Sequence, residues 1–177
     1  MAVLFALLVS LPMAEPAPEW RMKRTVAARG EALLQRAMLE AHNRARGALG
    51  LPPLAWSAAL ATAARGQAQE MARSGRFAHA EQPAGAGWQG ENLFAGTRGA
   101  YDYGEMVDMW LDERRDFVNR AAPGFSRTGR WQDVVHYAQI VWRTTTAVGC
   151  AMATGRDDDF LVCRYAPGGD VRGERAY

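Results

Sequence analysis

Apolar residues recur at three- and four-residue intervals in two stretches of the chain, which is the spacing of one face of a helix. The first stretch covers residues 33–49 and ends at Gly50, which two prolines follow. The second begins after Ser57, a suitable N-cap, presents a face made mostly of alanine, and ends near Gly75. His42 lies on the apolar face of the first helix, which predicts a packed, hydrogen-bonded structural histidine.

A third helix is predicted to begin at Asp102, because Asp102 and Glu105 form the Asp-x-x-Glu pattern of a capping box. Glu113 falls in the same row as the large apolar side chains of this helix and is predicted to point inward. A buried carboxylate is costly unless it is paired or hydrogen-bonded, and the alternative is a rim residue whose carboxylate stays in water. The apolar members of the row are Tyr103, Met106, Trp110 and Phe117.

The second half of the chain carries strand-like segments. Residues 134–142 are rich in β-branched and aromatic side chains, contain no Gly or Pro, and are apolar on both faces, which predicts a central strand covered on both sides. Two further strands are predicted at 147–153 and 159–165, a long loop with short strand pieces at 76–100, and a loop at 119–133. Helices come first and strands follow, without βαβ alternation, so the pattern indicates an α+β fold with a small antiparallel sheet.

The chain opens with an uncharged apolar stretch, residues 2–14, which is too short to span a bilayer as a helix and is typical of a signal-peptide core. We therefore expect a signal peptide at 1–14, with an uncleaved anchor as the alternative, and a linker at 15–30. Residues 31–177 have the length of one domain. No later apolar run is long enough to span a membrane once the leader is removed.

The basic residues number 21 and give a net charge of only +2. All but Lys23 are arginine, which indicates a GC-rich, bacterial-type genome. These charges are scattered along the chain, whereas a phosphate-binding protein concentrates them on one face or segment, so nucleic acid is not expected as a partner.

The two cysteines, Cys150 and Cys163, flank two short strand-like runs joined by a polar turn. A hairpin of that length would place them nearly opposite each other, so a disulfide is expected in an oxidising compartment, with two buried free thiols as the alternative. A zinc site made from these two alone is not expected, because neither has a CxxC partner.

Four ionisable residues stand where bulk water is not an expected neighbour: His79, Glu91, Glu113 and His136. If they converge, neutral imidazoles of His79 and His136 could bind Zn²⁺ while the carboxylates orient them or accept from metal-bound water. Spacing alone does not require convergence, since no HExxH-type helix pair is present.

Several motifs of this chain resemble the CAP superfamily, which includes cysteine-rich secretory proteins, insect venom antigens and plant pathogenesis-related proteins. They are His136-Tyr137-Ala138-Gln139-Ile140-Val141-Trp142, Gly90-Glu91-Asn92-Leu93, Trp110-x-x-Glu113, Ala41-His42-Asn43-x-x-Arg46 and Val162-Cys163-Arg164-Tyr165-Ala166-Pro167-Gly168. The resemblance implies a three-layer α-β-α sandwich, and it implies a central cleft lined by a His/Glu/Glu/His tetrad. By motif the tetrad falls on His79, Glu91, Glu113 and His136, and Asn92 and Gln139 are expected to brace the cleft.

The resemblance also implies a secreted or periplasmic protein, here expected to be a bacterial-type member and a monomer. Our first hypothesis is a binding module that holds a divalent cation such as Zn²⁺ in the cleft and a lipid, sterol or protein on its surface. The second is a metal-assisted peptidase or esterase with Glu91 or Glu113 as base. The third is a structural tetrad that rigidifies the end of the sheet, with the function on the surface loops. Residues 167–177 resemble a C-terminal peptide of plant members and are expected to pack back over the sheet.

Overall fold

The computed structural model describes residues 26–82, 85 and 87–177. The predicted signal peptide, and the predicted linker up to residue 25, lie outside the described residues. The helices are α1 (Glu31–Gly47), α2 (Ala58–Ser74), α3 (Tyr103–Asp112) and α4 (Val135–Ile140), the strands are β1 (Ala55–Trp56), β2 (Gly90–Thr97), β3 (Ala147–Thr154) and β4 (Asp158–Ala166), and short 3₁₀ turns cover Glu113–Arg115 and Trp131–Asp133.

Both ends of α2 and the start of α3 agree with the patterns that predicted them, whereas α1 ends at Gly47, before the predicted end at Gly50. Ser57 caps α2 by accepting a hydrogen bond from Leu60 N at 3.3 Å, and Gly75 ends it in the left-handed conformation with φ 70°. Both halves of the capping box of Asp102 and Glu105 are formed at the start of α3.

The four strands form one sheet in the order β1-β3-β4-β2. Antiparallel pairing joins β4 to both β3 and β2, whereas the two-residue β1 pairs in parallel with β3. One apolar cluster lies between the sheet and α2, and a larger one packs the other face against α1, α3 and α4. The α-β-α sandwich is therefore confirmed, with one short parallel pairing added.

The alanine-rich face of α2 lets that helix approach the sheet closely. On β3, a Cβ added to Gly149 would lie 2.3 Å from Ala61 N in the first turns of α2. No side chain fits at position 149, so both the glycine and the small residues of α2 serve this contact.

The central strand predicted at 134–142 is wrong. Residues 135–140 form the helix α4, and no residue of the segment belongs to the sheet. Residues 137–142 are all buried, so most of the segment is enclosed on every side, and an apolar pattern on both faces fits a buried helix as well as a buried strand.

Side chains that lie far away in the sequence satisfy both ends of α4. At its start, Tyr137 N donates to Glu113 Oε2 at 3.0 Å. At its end, the buried Arg46 donates to main-chain oxygens that have no partner within the helix. These bonds run from Nη1 to Ile140 O (3.0 Å) and Trp142 O (2.8 Å) and from Nη2 to Thr145 O (3.1 Å). Tertiary capping therefore overrides the β-propensity of the segment.

The predicted hairpin of β3 and β4 is confirmed together with its disulfide. Cys150 and Cys163 are directly opposite each other in the register and are bonded. The loop predicted at 76–100 contains more regular structure than expected, because its second half forms the eight-residue strand β2.

The tail after β4 was expected to pack back over the sheet. In the structure it packs instead against the segment between α3 and α4. Ala122 N donates to Glu174 O at 2.8 Å, and Gly173 N donates to Ala122 O at 3.0 Å. Near the end, Arg143 N donates to the main-chain oxygen of the fully buried Ala176. Within the described part of the chain, no helix has the length and apolar character needed to cross a bilayer.

Candidate functional site: two histidine–carboxylate pairs

The first pair joins His79, in the irregular segment after α2, to Glu91 on β2; we refer to it as the sheet pair. His79 Nδ1 lies 2.7 Å from Glu91 Oε1, and the same oxygen accepts from Ala80 N at 3.0 Å. The Glu91 side chain is 3% exposed and the His79 side chain 67% exposed. The carboxylate is thus part of the interior, while the imidazole borders solvent.

Behind the sheet pair stands Arg164, the cross-strand neighbour of Glu91 on β4. Its Nε lies 2.8 Å from Glu91 Oε2, and both side chains are almost fully buried. Nη1 of Arg164 also donates to Gln89 Oε1 at 3.3 Å. The guanidinium offsets the charge of a carboxylate that has little contact with water, which a buried acid requires.

The second pair joins His136, in the first turn of α4, to Glu113 in the 3₁₀ turn that follows α3; we refer to it as the helix pair. His136 Nδ1 lies 2.6 Å from Glu113 Oε1, with side chains 26% and 17% exposed. The ring of Trp110 stacks on the imidazole at a centroid distance of 5.9 Å. Glu113 therefore points inward, as its spacing along the chain predicted.

In both pairs the carboxylate contacts Nδ1 of the imidazole. A carboxylate can only accept, so Nδ1 carries the proton in the neutral ring and Nε2 keeps a free lone pair. Histidines that bind zinc in proteins are often held in this way, with one ring N–H donated to a carboxylate and the other nitrogen on the metal. Among the described residues, no group of three or more His, Cys, Asp and Glu side chains is placed to hold a metal ion. That both imidazoles share one ion stays a prediction.

Asn92, expected to brace the cleft, connects the two pairs. It follows Glu91 on β2, and its Nδ2 donates both to the main-chain oxygen of His136 at 3.1 Å and to the hydroxyl of Tyr165 at 3.1 Å. The strand that carries the carboxylate of one pair therefore also fixes the backbone of the histidine of the other.

His42 has the structural role predicted for it. Its Nδ1 donates to Met38 O at 2.7 Å and its Nε2 lies 2.8 Å from the hydroxyl of Tyr165, which donates to it. Burial lowers the pKa of His42 to about 4, so the ring is neutral at physiological pH.

Gln139, the other residue expected to brace the cleft, holds the C-terminal tail. Its Oε1 accepts from Gly169 N at 2.7 Å, and its Nε2 donates to Thr145 Oγ1 at 3.2 Å. A Cβ at Gly90 would lie 1.9 Å from Gln139 Oε1, so the glycine before Glu91 makes room for this side chain.

Asp170, in the tail, adds a second acid near the helix pair. It is the one described non-glycine residue with positive φ, 57°, a conformation that aspartate tolerates better than most residues. Burial, and secondarily the charge of Glu113, raise the pKa of its carboxyl to about 7. Its buried Oδ1 accepts no hydrogen bond from any described residue.

Sequence reasoning missed Arg164 and gave Asp170 no role. Arg164 interrupts an otherwise apolar strand, the same signal that singled out Glu113, so the pattern could have identified it. The signal for Asp170 lies in the path of the tail, which the local sequence does not show.

Comparison with known proteins finds one family over most of the folded region. The family described as "CAP: Cysteine-rich secretory protein family" matches residues 39–165. A pathogenesis-related protein of PR-1 type from Sambucus nigra is 35% identical over 143 residues, covering 78% of this chain and 79% of that protein. Pathogenesis-related protein 1A from Nicotiana tabacum is 34% identical over 147 residues, and the match covers 81% of this chain and 80% of the tobacco protein.

Solved structures share the fold. The crystal structure of NaASP2 with Zn²⁺ superposes with a TM-score of 0.70 at 24% identity, covering 84% of this chain and 86% of that one. The venom allergen-like protein 4 of Schistosoma mansoni gives a TM-score of 0.57 at 26% identity, covering 81% of this chain and 95% of its own.

Proposed function

The chain belongs to the CAP family of cysteine-rich secretory proteins, and from this premise we propose that it is a secreted binding module with a divalent-metal site. The ion would bind to Nε2 of His79 and Nε2 of His136. Glu91 and Glu113 would hold the two rings in position and favour the tautomer that leaves Nε2 free.

One observation carries this proposal: each imidazole uses its Nδ1 on a carboxylate, at 2.7 Å in the sheet pair and 2.6 Å in the helix pair. Two imidazole nitrogens suit Zn²⁺, and water would complete the coordination. Catalytic zinc usually has three protein ligands, so a two-histidine set favours binding over hydrolysis. NaASP2, a protein of the same fold, was crystallised with Zn²⁺, which makes zinc the first ion to test.

Secretion is part of the proposal. The disulfide between Cys150 and Cys163 supports an oxidising compartment. The arginine-rich composition further supports a bacterial-type member, and we keep the expectation of a monomer.

The organic or macromolecular ligand is proposed to be a lipid, a sterol or another protein. Two large apolar side chains support such a surface: Phe77, two residues before His79, is 56% exposed, and Trp88, two residues before β2, is 45% exposed. Exposed aromatic residues of this kind favour contact with an apolar partner.

Calorimetric titration with Zn²⁺ tests the metal site. We expect one ion per chain in the wild type and at least about a 100-fold loss of affinity in the double variant His79→Ala/His136→Ala, because both nitrogen donors are gone. Glu70→Gln, at an exposed position on α2, serves as the matched control and should bind like the wild type. Equal heats in the wild type and the double variant, with both folded by circular dichroism, would remove the site.

The hydrolase hypothesis is tested on the same proteins with a library of peptide and ester substrates, with and without a chelator. We expect no turnover. If turnover is sensitive to the chelator and disappears in Glu91→Gln, the protein is an enzyme and the proposal of a binding module is wrong.

A further inference from the structure

A cavity lies between the C-terminal tail and the segment that precedes α4, and its volume is about 400 Å³. It is lined by Ala122, Pro123, Phe125, Trp131, Asp170 and Arg172. The four residues that the proposed metal site uses do not line it. We refer to it as the tail cavity.

Main-chain contacts fix the walls of the tail cavity. Ala122 pairs with Arg172 as a parallel bridge, its N donates to Glu174 O at 2.8 Å, and its O accepts from Gly173 N at 3.0 Å. Because the two walls are tied to each other, the cavity is formed before any ligand arrives, which is the usual state of a small-molecule site.

The side chains of the tail cavity combine an aromatic face with two opposite charges. Trp131 is 45% exposed, and Phe125 is 1% exposed. Asp170 and Arg172 stand two residues apart on the tail. Neither takes part in the ion pairs of the described residues. A ligand that carries one positive and one negative group would pair with both charges, whereas an ion of either sign would meet one attractive and one repulsive side chain.

The number of N–H donors on the positive group of the ligand decides which kind of ammonium suits this cavity. A primary ammonium has three N–H donors that need acceptors, and the acid of this cavity is the single Asp170. An alkylated ammonium has few N–H donors or none, and it is attracted both to a carboxylate and to the face of a tryptophan. We propose that the tail cavity binds a small zwitterion of the phosphocholine or betaine kind, with its alkylated ammonium against Trp131 and Asp170 and its anionic group at Arg172.

Calorimetric titration of the full-length protein with free phosphocholine at pH 8, where the carboxyl of Asp170 is ionised because its pKa is about 7, tests this site. We expect saturable binding at one site per chain, at least about tenfold tighter than choline alone or inorganic phosphate alone, because each of these lacks one of the two charges. Betaine serves as a second zwitterionic probe and should compete with phosphocholine. The proposal fails if neither zwitterion binds saturably, or if phosphocholine binds no better than choline and phosphate.

Variants then locate the binding. Asp170→Asn keeps a side chain that tolerates the left-handed backbone and should weaken phosphocholine binding at least about tenfold. Arg172→Gln should reduce phosphocholine to the affinity of choline. Trp131→Leu should also weaken binding, whereas Met109→Leu, at an apolar residue of the same 45% exposure outside the cavity, should not. Unchanged affinity in both Asp170→Asn and Trp131→Leu would overturn the assignment.

The natural source of the zwitterion is a separate question for the same proteins. If a lipid headgroup is the ligand, the protein should sediment with phosphatidylcholine vesicles, and free phosphocholine should release it. If a free solute is the ligand, phosphocholine should bind while the vesicles do not retain the protein. Because this assay uses no metal, its failure and the failure of the zinc titration are distinguishable.

Discussion

The sheet pair and the helix pair repeat one contact in two different surroundings. In each, Nδ1 of a histidine meets Oε1 of a glutamate, at 2.7 and 2.6 Å. In the sheet pair a 67% exposed imidazole rests on a 3% exposed carboxylate. In the helix pair both side chains are largely buried, since that of His136 is 26% exposed and that of Glu113 is 17% exposed.

The difference that matters is what stands behind each carboxylate. Glu91 has a counter-charge, because Arg164 contacts its second oxygen at 2.8 Å. Glu113 accepts from the main-chain N–H of Tyr137 on its second oxygen at 3.0 Å, and its charge adds to the effect of burial in raising the pKa of the nearby Asp170. A buried ion pair therefore holds Glu91, while the start of helix α4 holds Glu113, whose partner His136 stacks on Trp110.

We expect the largest effect on stability from removing Arg164, the counter-charge of Glu91 in the sheet pair. Arg164→Met leaves Glu91 as a buried carboxylate without a counter-charge, and we expect a loss of about 3 to 5 kcal/mol in the free energy of unfolding. Urea unfolding measures it. The double variant Arg164→Met/Glu91→Gln should recover most of the loss, because the charge left unpaired is gone.

The matched control for that variant is Arg73→Met, which removes an exposed ion pair with Glu70 and should cost less than about 1 kcal/mol. A loss in Arg164→Met as small as in this control would show that the buried pair adds little to stability.

The second effect concerns Asp170, which lies near the helix pair, and it depends on pH. The pKa of Asp170 is about 7 in the folded chain, whereas the ordinary value of 3.8 applies in the unfolded chain. Between these two pH values the folded chain binds more protons than the unfolded chain, so stability falls as pH rises through this window. Asp170→Asn removes the cost of ionisation. We expect little change near pH 4 and a stabilisation of as much as about 4 kcal/mol at pH 8.

Urea unfolding at pH 5, 6, 7 and 8 measures this dependence, with Asp112→Asn as an exposed control that should show none of it. His42 acts in the opposite direction, because its pKa of about 4 makes the folded chain lose stability as pH falls below about 6.5. A gain in Asp170→Asn that grows toward acid pH would contradict the assigned burial of Asp170.

The sequence predicted the parts of this fold whose signals are local. The caps of α2 and α3, the hairpin of β3 and β4 and its disulfide each depend on residues close together in the chain. The contact row that placed Glu113 inward is also local, since one face of α3 and the 3₁₀ turn that follows it define the row.

The errors and omissions have long-range causes. Helix α4 is stabilised at its start by Glu113 and at its end by Arg46, which lies 94 residues before Ile140. Local propensity contains neither contact, so the segment was predicted as a strand. Asp170 is near Glu113 only because the tail returns to that side of the domain.

The third effect tests whether both carboxylates orient a metal ligand, and it depends on the proposed zinc site. Glu91→Gln and Glu113→Gln should each lower zinc affinity about 10- to 100-fold by calorimetry, because the imidazole loses its orienting acceptor. Their effects on stability should differ. Glu91→Gln leaves Arg164 buried without its partner and should destabilise, whereas Glu113→Gln removes a charge that opposes Asp170 and should cost much less. Equal losses of stability in both variants would show that the two surroundings are equivalent.

The smallest effect separates stability from metal binding at the two histidines. His79 is mostly exposed and contributes one contact at the protein surface, so His79→Ala should lower the free energy of unfolding by less than about 1 kcal/mol. His136→Ala should cost about 1 to 2 kcal/mol, because it also removes the stack on Trp110 and leaves space inside the domain. Both variants should lose zinc affinity to a similar extent, since each removes one of two nitrogen ligands. If His79→Ala destabilises the protein as much as His136→Ala does, the exposed imidazole has a structural role, and the sheet pair is a fixed part of the fold before any ion binds.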